Sequence, residues 1–243
     1  MFTVILQART SSSRLPGKVL MPIGKSYTML SHIIKRLSFS RYIDSLLIAT
    51  STDKSDDLIV DEANRLSIEC YRGDLENVFS RYYAIANKLQ TTWIIRLNGD
   101  CPYIDPKIVD FCCLYAHLYA NYDYISTITS KWPIGQHVEL IKRSTFLSIN
   151  QSDLTSPELE HVTPYIYNNP SLFRLLTVDS PFDYSYYRMT VDYLEDYELA
   201  NEFFLRQNFL ATYLEVIEYF KRNEKAMELC KKYRKPATYT SKS

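Results

Sequence analysis

FTVILQARTSSSRLPGK, residues Phe2 to Lys18, passes directly from a continuous apolar run into a polar loop. Phe2 to Leu6 reads as a strand buried on both faces, and Gln7 to Lys18 as the loop at its carboxyl end. That loop carries three cations, Arg9, Arg14 and Lys18, among four small hydroxyl residues, Thr10, Ser11, Ser12 and Ser13. A triphosphate needs positive charge and many hydrogen-bond donors around it, and side chains and backbone N–H groups here can supply both. Pro16-Gly17 turns the chain and aims Lys18. The pattern is neither G-x-G-x-x-G nor G-x-x-x-x-G-K-[ST]. On charge alone, a solvated basic turn is an equal reading.

Outward from this loop, apolar runs alternate with amphipathic stretches. Tyr27 to Leu37, Asp56 to Leu66, Leu75 to Leu89 and Pro106 to Tyr119 read as helices; Ser45 to Thr50, Ile68 to Tyr71 and Trp93 to Leu97 read as strands. The alternation predicts an α/β fold with a mainly parallel sheet, in which the polar clusters after strands fall where open sheets bind ligands. After residue 120 the rhythm changes. Tyr122 to Thr129, Val138 to Ile141, Phe173 to Val178 and Tyr186 to Val191 read as strands, interrupted by a helix with Ser156 as N-cap, Pro157 at its first position and Glu158 to Tyr167 beyond. The expectation is one domain over 1–243, with 122–183 as an insertion that builds an acceptor pocket or a dimer contact. From Tyr193 the chain reads as mainly helical, with Lys235 to Ser243 frayed.

With 243 residues, 46% of them hydrophobic, the chain can bury a large core. Its 28 Lys plus Arg balance 28 Asp plus Glu, so no net field draws it to nucleic acid or an anionic membrane. It has no apolar stretch long enough to span a bilayer and no secretory pattern after Met1, which points to the cytoplasm. The five cysteines, Cys70, Cys101, Cys112, Cys113 and Cys230, lack zinc spacing and read as reduced structural thiols. His32 and His117 lie in helical patterns as surface or packing residues. Glycine is scarce: there are five, where average usage of about 7% would give roughly three times as many. Gly17 and Gly99 therefore mark a positive φ or a close backbone approach.

Two further stretches carry chemistry. In RLNGDCPYIDP, Arg96 to Pro106, Asp100 follows a glycine at a strand's end and is placed to hold Mg²⁺, which takes one or two carboxylates alongside phosphate oxygens. Asp105 is the N-cap of the helix that Pro106 starts. In RMTVDYLED, Arg188 to Asp196, a strand delivers Asp192, which either completes the metal site or caps the next helix; Glu195 and Asp196 suit that helix's first turn.

The ordered runs QARTSSSRLPGK, RGDLENVFSRYY, NGDCPYIDP, ELEHVTPYIYNNP and TVDYLED span about the first 200 residues. They resemble the cytidylyltransferases of surface-sugar biosynthesis, nearest the SpsF-type spore-coat branch and related to the acylneuraminate and Kdo enzymes. The resemblance implies a nucleotidyl-diphospho-sugar transferase (GT-A-like) three-layer fold and CTP as donor. An acceptor hydroxyl of a sugar or sugar acid would attack the α-phosphate and release pyrophosphate with Mg²⁺. Carried over, Arg9, Lys18 and Asp100 are catalytic, and Gln7, Ala8, Ser12, Ser13, Arg14, Arg81 and Asn98 join them around the nucleotide. Asp100 and Asp192 hold the metal, and His137, Glu139, Glu160 and His161 face the acceptor. The chain departs from the family pattern at Ser11, commonly glycine, and at His137, where Gly-x-Asp-Val-Glu has become Gly135-Gln136-His137-Val138-Glu139. An aromatic-rich insertion makes a homodimer a fair expectation. Two other readings stand beside this one. A GT-A-type glycosyltransferase using a nucleotide sugar would place its metal on an Asp-x-Asp run, which the sequence lacks. A nucleotide-binding homologue that has lost turnover would owe it to Ser11 and His137.

Overall fold

A computed structural model describes residues 1–128 and 131–233. In chain order it contains β1 (Phe2–Gln7), β2 (Pro22–Ile23), β3 (Tyr27–Thr28), α1 (Met29–Leu37), β4 (Ser45–Ser51), α2 (Asp57–Arg65) and β5 (Glu69–Gly73). Then come α3 (Val78–Lys88), β6 (Trp93–Asn98), α4 (Pro106–Leu118), β7 (Tyr124–Ser126), β8 (Glu139–Lys142), α5 (Arg143–Leu147), α6 (Ser156–His161) and α7 (Pro164–Asn168). The chain closes with β9 (Leu175–Thr177), α8 (Leu194–Arg206), α9 (Tyr213–Arg222) and α10 (Glu224–Lys232). No helix of the described residues is long and apolar enough to cross a membrane.

Seven strands form one mixed sheet in the order β5-β4-β1-β6-β8-β7-β9. The pairs β5/β4, β4/β1, β1/β6 and β7/β9 are parallel, and only β8 runs against its neighbours. Successive side chains of a strand point to opposite faces, so a strand with no polar break feeds two cores. In β1, Val4 and Leu6 join a core with α1, α2, α4, α8, α9 and α10, while Ile5 joins a second core with α3, α5, α6 and α7. Helices, sheet and helices make the three layers expected. Residues 122–183 supply β7, β8 and β9 to this same sheet. From β1 the chain moves outward to β4 and β5, then returns to β6 on the other side of β1. The crevice between the carboxyl ends of β1 and β6 is therefore the topological switch point, where open α/β sheets bind ligands.

Buried Arg36 fastens the segment after β6. Its guanidinium donates to the carbonyls of Ile104 at 2.9 Å, Ala211 at 2.9 Å and Tyr103 at 3.4 Å, and to that of Phe209. Burial without a carboxylate in contact pushes its pKa down to about 10. Asp105 caps α4 through Lys107 N–H at 2.9 Å, as expected, and also accepts from Tyr213 N–H at 3.0 Å.

Several elements differ from the sequence reading. Tyr186 to Val191 is not a strand: a single bridge joins Arg188 to Ile134, and Val191 N–H then donates to the Asp100 carbonyl at 2.9 Å. Its apolar residues are buried by loops rather than by a ladder. The helix expected from Glu158 to Tyr167 is two, α6 and α7, broken at Val162, and Thr155 rather than Ser156 is the N-cap. Tyr27 belongs to the β2–β3 hairpin, with Thr28 capping α1. Thr129 and Lys235 to Ser243 lie outside the described residues. All five cysteines are free thiols, four of them buried.

Candidate active site

The loop after β1 is anchored before it reaches the crevice. Buried Asp56 accepts five hydrogen bonds: from Thr10 N–H and Thr10 Oγ1 at 2.7 Å each, Thr50 Oγ1 at 2.9 Å, Ser51 N–H at 3.1 Å and Ser51 Oγ at 2.5 Å. Ser12 N–H and Gly17 N–H then both donate to the Thr10 carbonyl, at 2.9 and 2.8 Å, closing residues 10–17 into a compact turn. Gly17 sits at φ 71°, a left-handed conformation in which a side chain is strained. The turn delivers Lys18, 7% exposed, into a short 3-10 helix, Lys18–Leu20. Across the crevice, Gly99 N–H donates to the Gln7 carbonyl at 2.8 Å, and a Cβ on Gly99 would lie 3.1 Å from that oxygen. Close approach of two strand ends is thus what Gly99 serves.

Lys18 Nζ lies 3.1 Å from Asp100 Oδ2, 3.1 Å from Asp192 Oδ1 and 2.7 Å from the Val191 carbonyl. Asp192 also pairs with Arg14 at 2.6 Å and Arg188 at 2.7 Å; Arg188 in turn holds Asp196 at 2.5 Å. Asp196 fixes the turn by accepting from Asp192 N–H and Tyr193 N–H, each at 2.9 Å. Asp192 is therefore both a member of the charged cluster and, through Asp196, tied to the start of α8. Burial works against charge at Lys18 and Asp192 alike, but their partners outweigh it, raising the Lys18 pKa and driving the Asp192 carboxyl far below the carboxylate range.

Lys18, Arg14, Asp100 and Asp192 line a cavity of about 390 Å³ that also takes in Gln7, Ala8, Arg9, Ser12, Ser13 and Asn98. Arg9 makes no ion pair among the described residues and is available to an anion. Glu160 and His161 form the opposite rim at the end of α6. Their placement depends on Val162, which is fully buried at φ 73°, ψ −52°, with Thr163 N–H donating to the His161 carbonyl at 2.9 Å. That is a γ-turn of the rare positive-φ kind, strained for any side chain and more so for a β-branched one.

Three expected residues lie outside the cavity lining. Arg81 is 1% exposed, donates to the Leu75 carbonyl at 3.1 Å and packs against Gly73, where a Cβ would come within 2.3 Å of its Cγ. Glu139 is buried in an ion pair with Arg96 and accepts from Tyr124 Oη at 2.5 Å, so it shapes the floor through Arg96. His137 lies close enough to Glu139, Arg96 and Asp100 to feel their charges, and burial lowers its pKa. Conversely, Asp56, Arg96 and Arg188 are site-building residues to which the sequence reading gave no role. Arg188 and Arg96 stood inside the chemistry-bearing motifs, but nothing in their spacing marked them as partners of Asp192 and Glu139.

Asp100 and Asp192 are the carboxylates in this cavity that could hold a nucleotide-borne divalent cation. Mg²⁺ demands few protein carboxylates because phosphates and water complete its octahedron. Asp100 and Asp192 converge on the Lys18 ammonium, and both Asp192 oxygens are paired with cations, so a metal ion there would have to displace Lys18; Asp100 Oδ1 accepts only a weak hydrogen bond, from the Cys101 thiol at 3.4 Å. No group of three or more His, Cys, Asp or Glu that could hold a metal occurs among the described residues.

A family model described as Cytidylyltransferase matches residues 3–239. The chain is 34% identical over 200 residues to the spore coat polysaccharide biosynthesis protein SpsF of Bacillus subtilis (strain 168), covering 80% of this chain and 82% of that one. It is 32% identical over 112 residues to the 3-deoxy-manno-octulosonate cytidylyltransferase of Solibacter usitatus, 45% of this chain and 42% of that one. A solved cytidylyltransferase from Leptospira borgpetersenii serovar Hardjo-bovis superposes with a TM-score of 0.85 at 27% identity, over 97% of this chain and 98% of that one.

Proposed function

The chain belongs to the cytidylyltransferase family and is an enzyme that uses CTP as nucleotidyl donor, and on that premise we propose that it transfers CMP to the hydroxyl of a sugar acid or related sugar, releasing pyrophosphate. Similarity to the spore coat polysaccharide protein supports a nucleotide sugar destined for a surface polysaccharide, and similarity to the octulosonate enzyme supports an acidic acceptor. The observation that carries the reading is the convergence of Lys18 Nζ on Asp100 and Asp192 inside the cavity that Arg9 and Arg14 also line.

In the reaction, the acceptor oxygen bonds to the α-phosphorus as the bond from that phosphorus to the bridging oxygen breaks, and the hydroxyl proton is lost. Such chemistry is mostly positioning and charge neutralisation, with no covalent intermediate on the protein. Arg9, Arg14 and Lys18 bind the triphosphate, with Ser12, Ser13 and backbone N–H groups of the loop completing the cradle. Gln7, Ala8 and Asn98, at the paired ends of β1 and β6, form its floor, and Arg81 stiffens the side beneath the nucleotide. A Mg²⁺ ion held by Asp100 and Asp192 would neutralise developing phosphate charge. Glu160 and His161 face the acceptor across the cavity, with His137 and Glu139 setting the floor behind Arg96. In the same proposal, residues 122–183 shape the acceptor side or a homodimer contact. The protein works in the cytoplasm, without nucleic acid or membrane as partner, in keeping with its balanced charge.

Pyrophosphate release, assayed with each of the four NTPs, Mg²⁺ and a panel of nonulosonic acids, Kdo and amino sugars, should appear with CTP and one acidic acceptor. Silence across the panel would sink the acceptor assignment. Turnover of a neutral sugar alone would redirect it.

A further inference from the structure

Arg188 stands behind Asp192, outside the cavity lining and 9% exposed. It takes Asp192 Oδ2 at 2.7 Å and so leaves Oδ1 to meet Lys18 at 3.1 Å and Arg14 at 2.6 Å. Which carboxylate oxygen faces the cavity is therefore set by where the Arg188 guanidinium is held. The segment that carries both residues meets Ile134 in a single bridge rather than a ladder, so its side chains need support from elsewhere.

The end of α10 supplies it. Cys230 Sγ accepts from Arg188 N–H at 3.3 Å, and Lys232 Nζ lies 3.1 Å from Glu195 Oε1. One turn beyond Cys230, the Tyr233 ring stacks on that of Tyr193, the residue after Asp192, with centroids 3.9 Å apart and planes 10° from parallel. The Arg188 guanidinium is 5.9 Å from the Tyr193 centroid and 5.4 Å from that of Tyr233, and the Arg14 guanidinium is 5.1 Å from that of Tyr193. All three separations lie within the reach of cation–π attraction, about 6 Å. Two cations that hold Asp192 by different oxygens thus share one aromatic pair. Half of that pair comes from residue 233, far beyond the last chemistry-bearing motif, which ends at Asp196.

We propose that Tyr233 is a positioning residue for the use of CTP, an inference that rests on reading the cavity as the triphosphate site. Tyr233 lies outside the cavity lining and acts only through its neighbours. Its ring backs Tyr193 and flanks Arg188, and through them it fixes the Asp192 carboxylate and the Arg14 guanidinium that meet the nucleotide. Contacts of this kind are each worth about two- to tenfold in an equilibrium. Loss of the ring frees Arg188 to swing off Asp192 Oδ2. The carboxylate can then turn, and the charge that the triphosphate meets is no longer preorganised.

The test titrates the full chain with CTP and Mg²⁺ by calorimetry, with no acceptor present. Tyr233→Ala should weaken binding about five- to tenfold, the worth of the contacts it removes. Tyr233→Phe keeps the stack and loses only the 3.5 Å contact of the phenol with Glu195, so it should restore the affinity of the unsubstituted chain. Tyr233→Leu keeps bulk without a flat face and should fall between the two, which carries the test even where the alanine variant fails to fold. In an Asp192→Asn background the Tyr233→Ala loss should shrink to within about twofold, because its route runs through Asp192. A ring that only stabilised α10 would cost the same in both backgrounds. Unchanged affinity in Tyr233→Ala, equal losses in the phenylalanine and alanine variants, or a loss undiminished in the Asp192→Asn background would each overturn the proposal and leave the catalytic reading standing. Asp192→Asn alone should also weaken binding; if it does not, the reading of the cavity itself fails.

Discussion

On one wall of the cleft, residues 8–20 are held by groups that satisfy one another: Asp56 gathers five donors, the Thr10 carbonyl gathers two amides, and a glycine takes the one left-handed position. On the other wall, Glu160 and His161 are presented by a γ-turn in which a buried valine occupies a conformation that disfavours it. The first wall is relaxed and stiff because every local choice agrees with the fold. The second is stiff because surrounding packing enforces it, the pattern in which strain is stored at functional sites. Under the proposed function the difference fits two tasks. A triphosphate is the same in every turnover and can be met by a cradle built from local rules, whereas an acceptor has an individual shape.

Substitutions at four positions probe this contrast. Lys18→Ala, on the relaxed wall, should lower kcat by about 10²- to 10³-fold, since it removes preorganised charge from the site of transfer; steady-state pyrophosphate release within about threefold of normal would mean the charge is neutralised elsewhere. Asp56→Ala should cost about 2–4 kcal/mol, because it strips a buried hub of its acceptor and leaves buried donors unpaired. Burial opposes ionisation at Asp56, but hydrogen bonds from Ser51 and Thr10 outweigh it and lower its pKa. Its contribution is therefore present above the unfolded value of about 4 and lost as pH falls. Urea midpoints measured from pH 7 down to pH 3 should fall, and the substitution should flatten that fall. An unchanged slope would show that Asp56 is not the hub described.

On the strained wall, Val162→Gly should be more stable than Val162→Ala by about 1 kcal/mol, the reverse of the order at an ordinary buried position, because only glycine is at ease at positive φ. Both should raise the acceptor KM and leave that for CTP unaltered; a parallel rise in both constants would mean that the two walls are not separable. The smallest effect is expected from Gly17→Ala. A Cβ there has open space, so only the strain of its φ counts, about 1 kcal/mol in thermal or urea unfolding. A larger loss would show that the turn is less relaxed than its hydrogen bonds imply.

Much of the relaxed wall was legible in the sequence, though not its hub, and the strained wall was legible only in part. Strand, loop, Gly17, Lys18, Gly99 and Asp100 obey local propensity, and structure of that kind can be read locally. The break at Val162 has a local signal that the reading of one helix passed over: Pro164 has no N–H to give the Glu160 carbonyl and opens α7 at its first position, while the fully buried, positive-φ conformation of Val162 itself is what the sequence does not display. Tyr186 to Val191 failed differently: apolar alternation reports burial but not what does the burying, and here loops around Ile134 and Asp100 do it. Asp56 read only as the first residue of a helical stretch; its donors come from residues 10, 50 and 51, and only the folded chain brings these together. Glu139 kept the motif position that the family resemblance gave it, but its pairing with Arg96 across β6 and β8 depends on a strand register that the sequence does not display.

The hub at Asp56 also sets a clock. Surface loops of a dozen residues ordinarily fluctuate within nanoseconds to microseconds, yet the Thr10 and Ser51 amides donate to a carboxylate buried at the parallel sheet's carboxyl edge. Their hydrogens exchange with solvent only when that part of the sheet opens. The first stretch of the loop thus shares the lifetime of β1 and β4, and only the residues between the two amides that close on the Thr10 carbonyl are free to keep faster time.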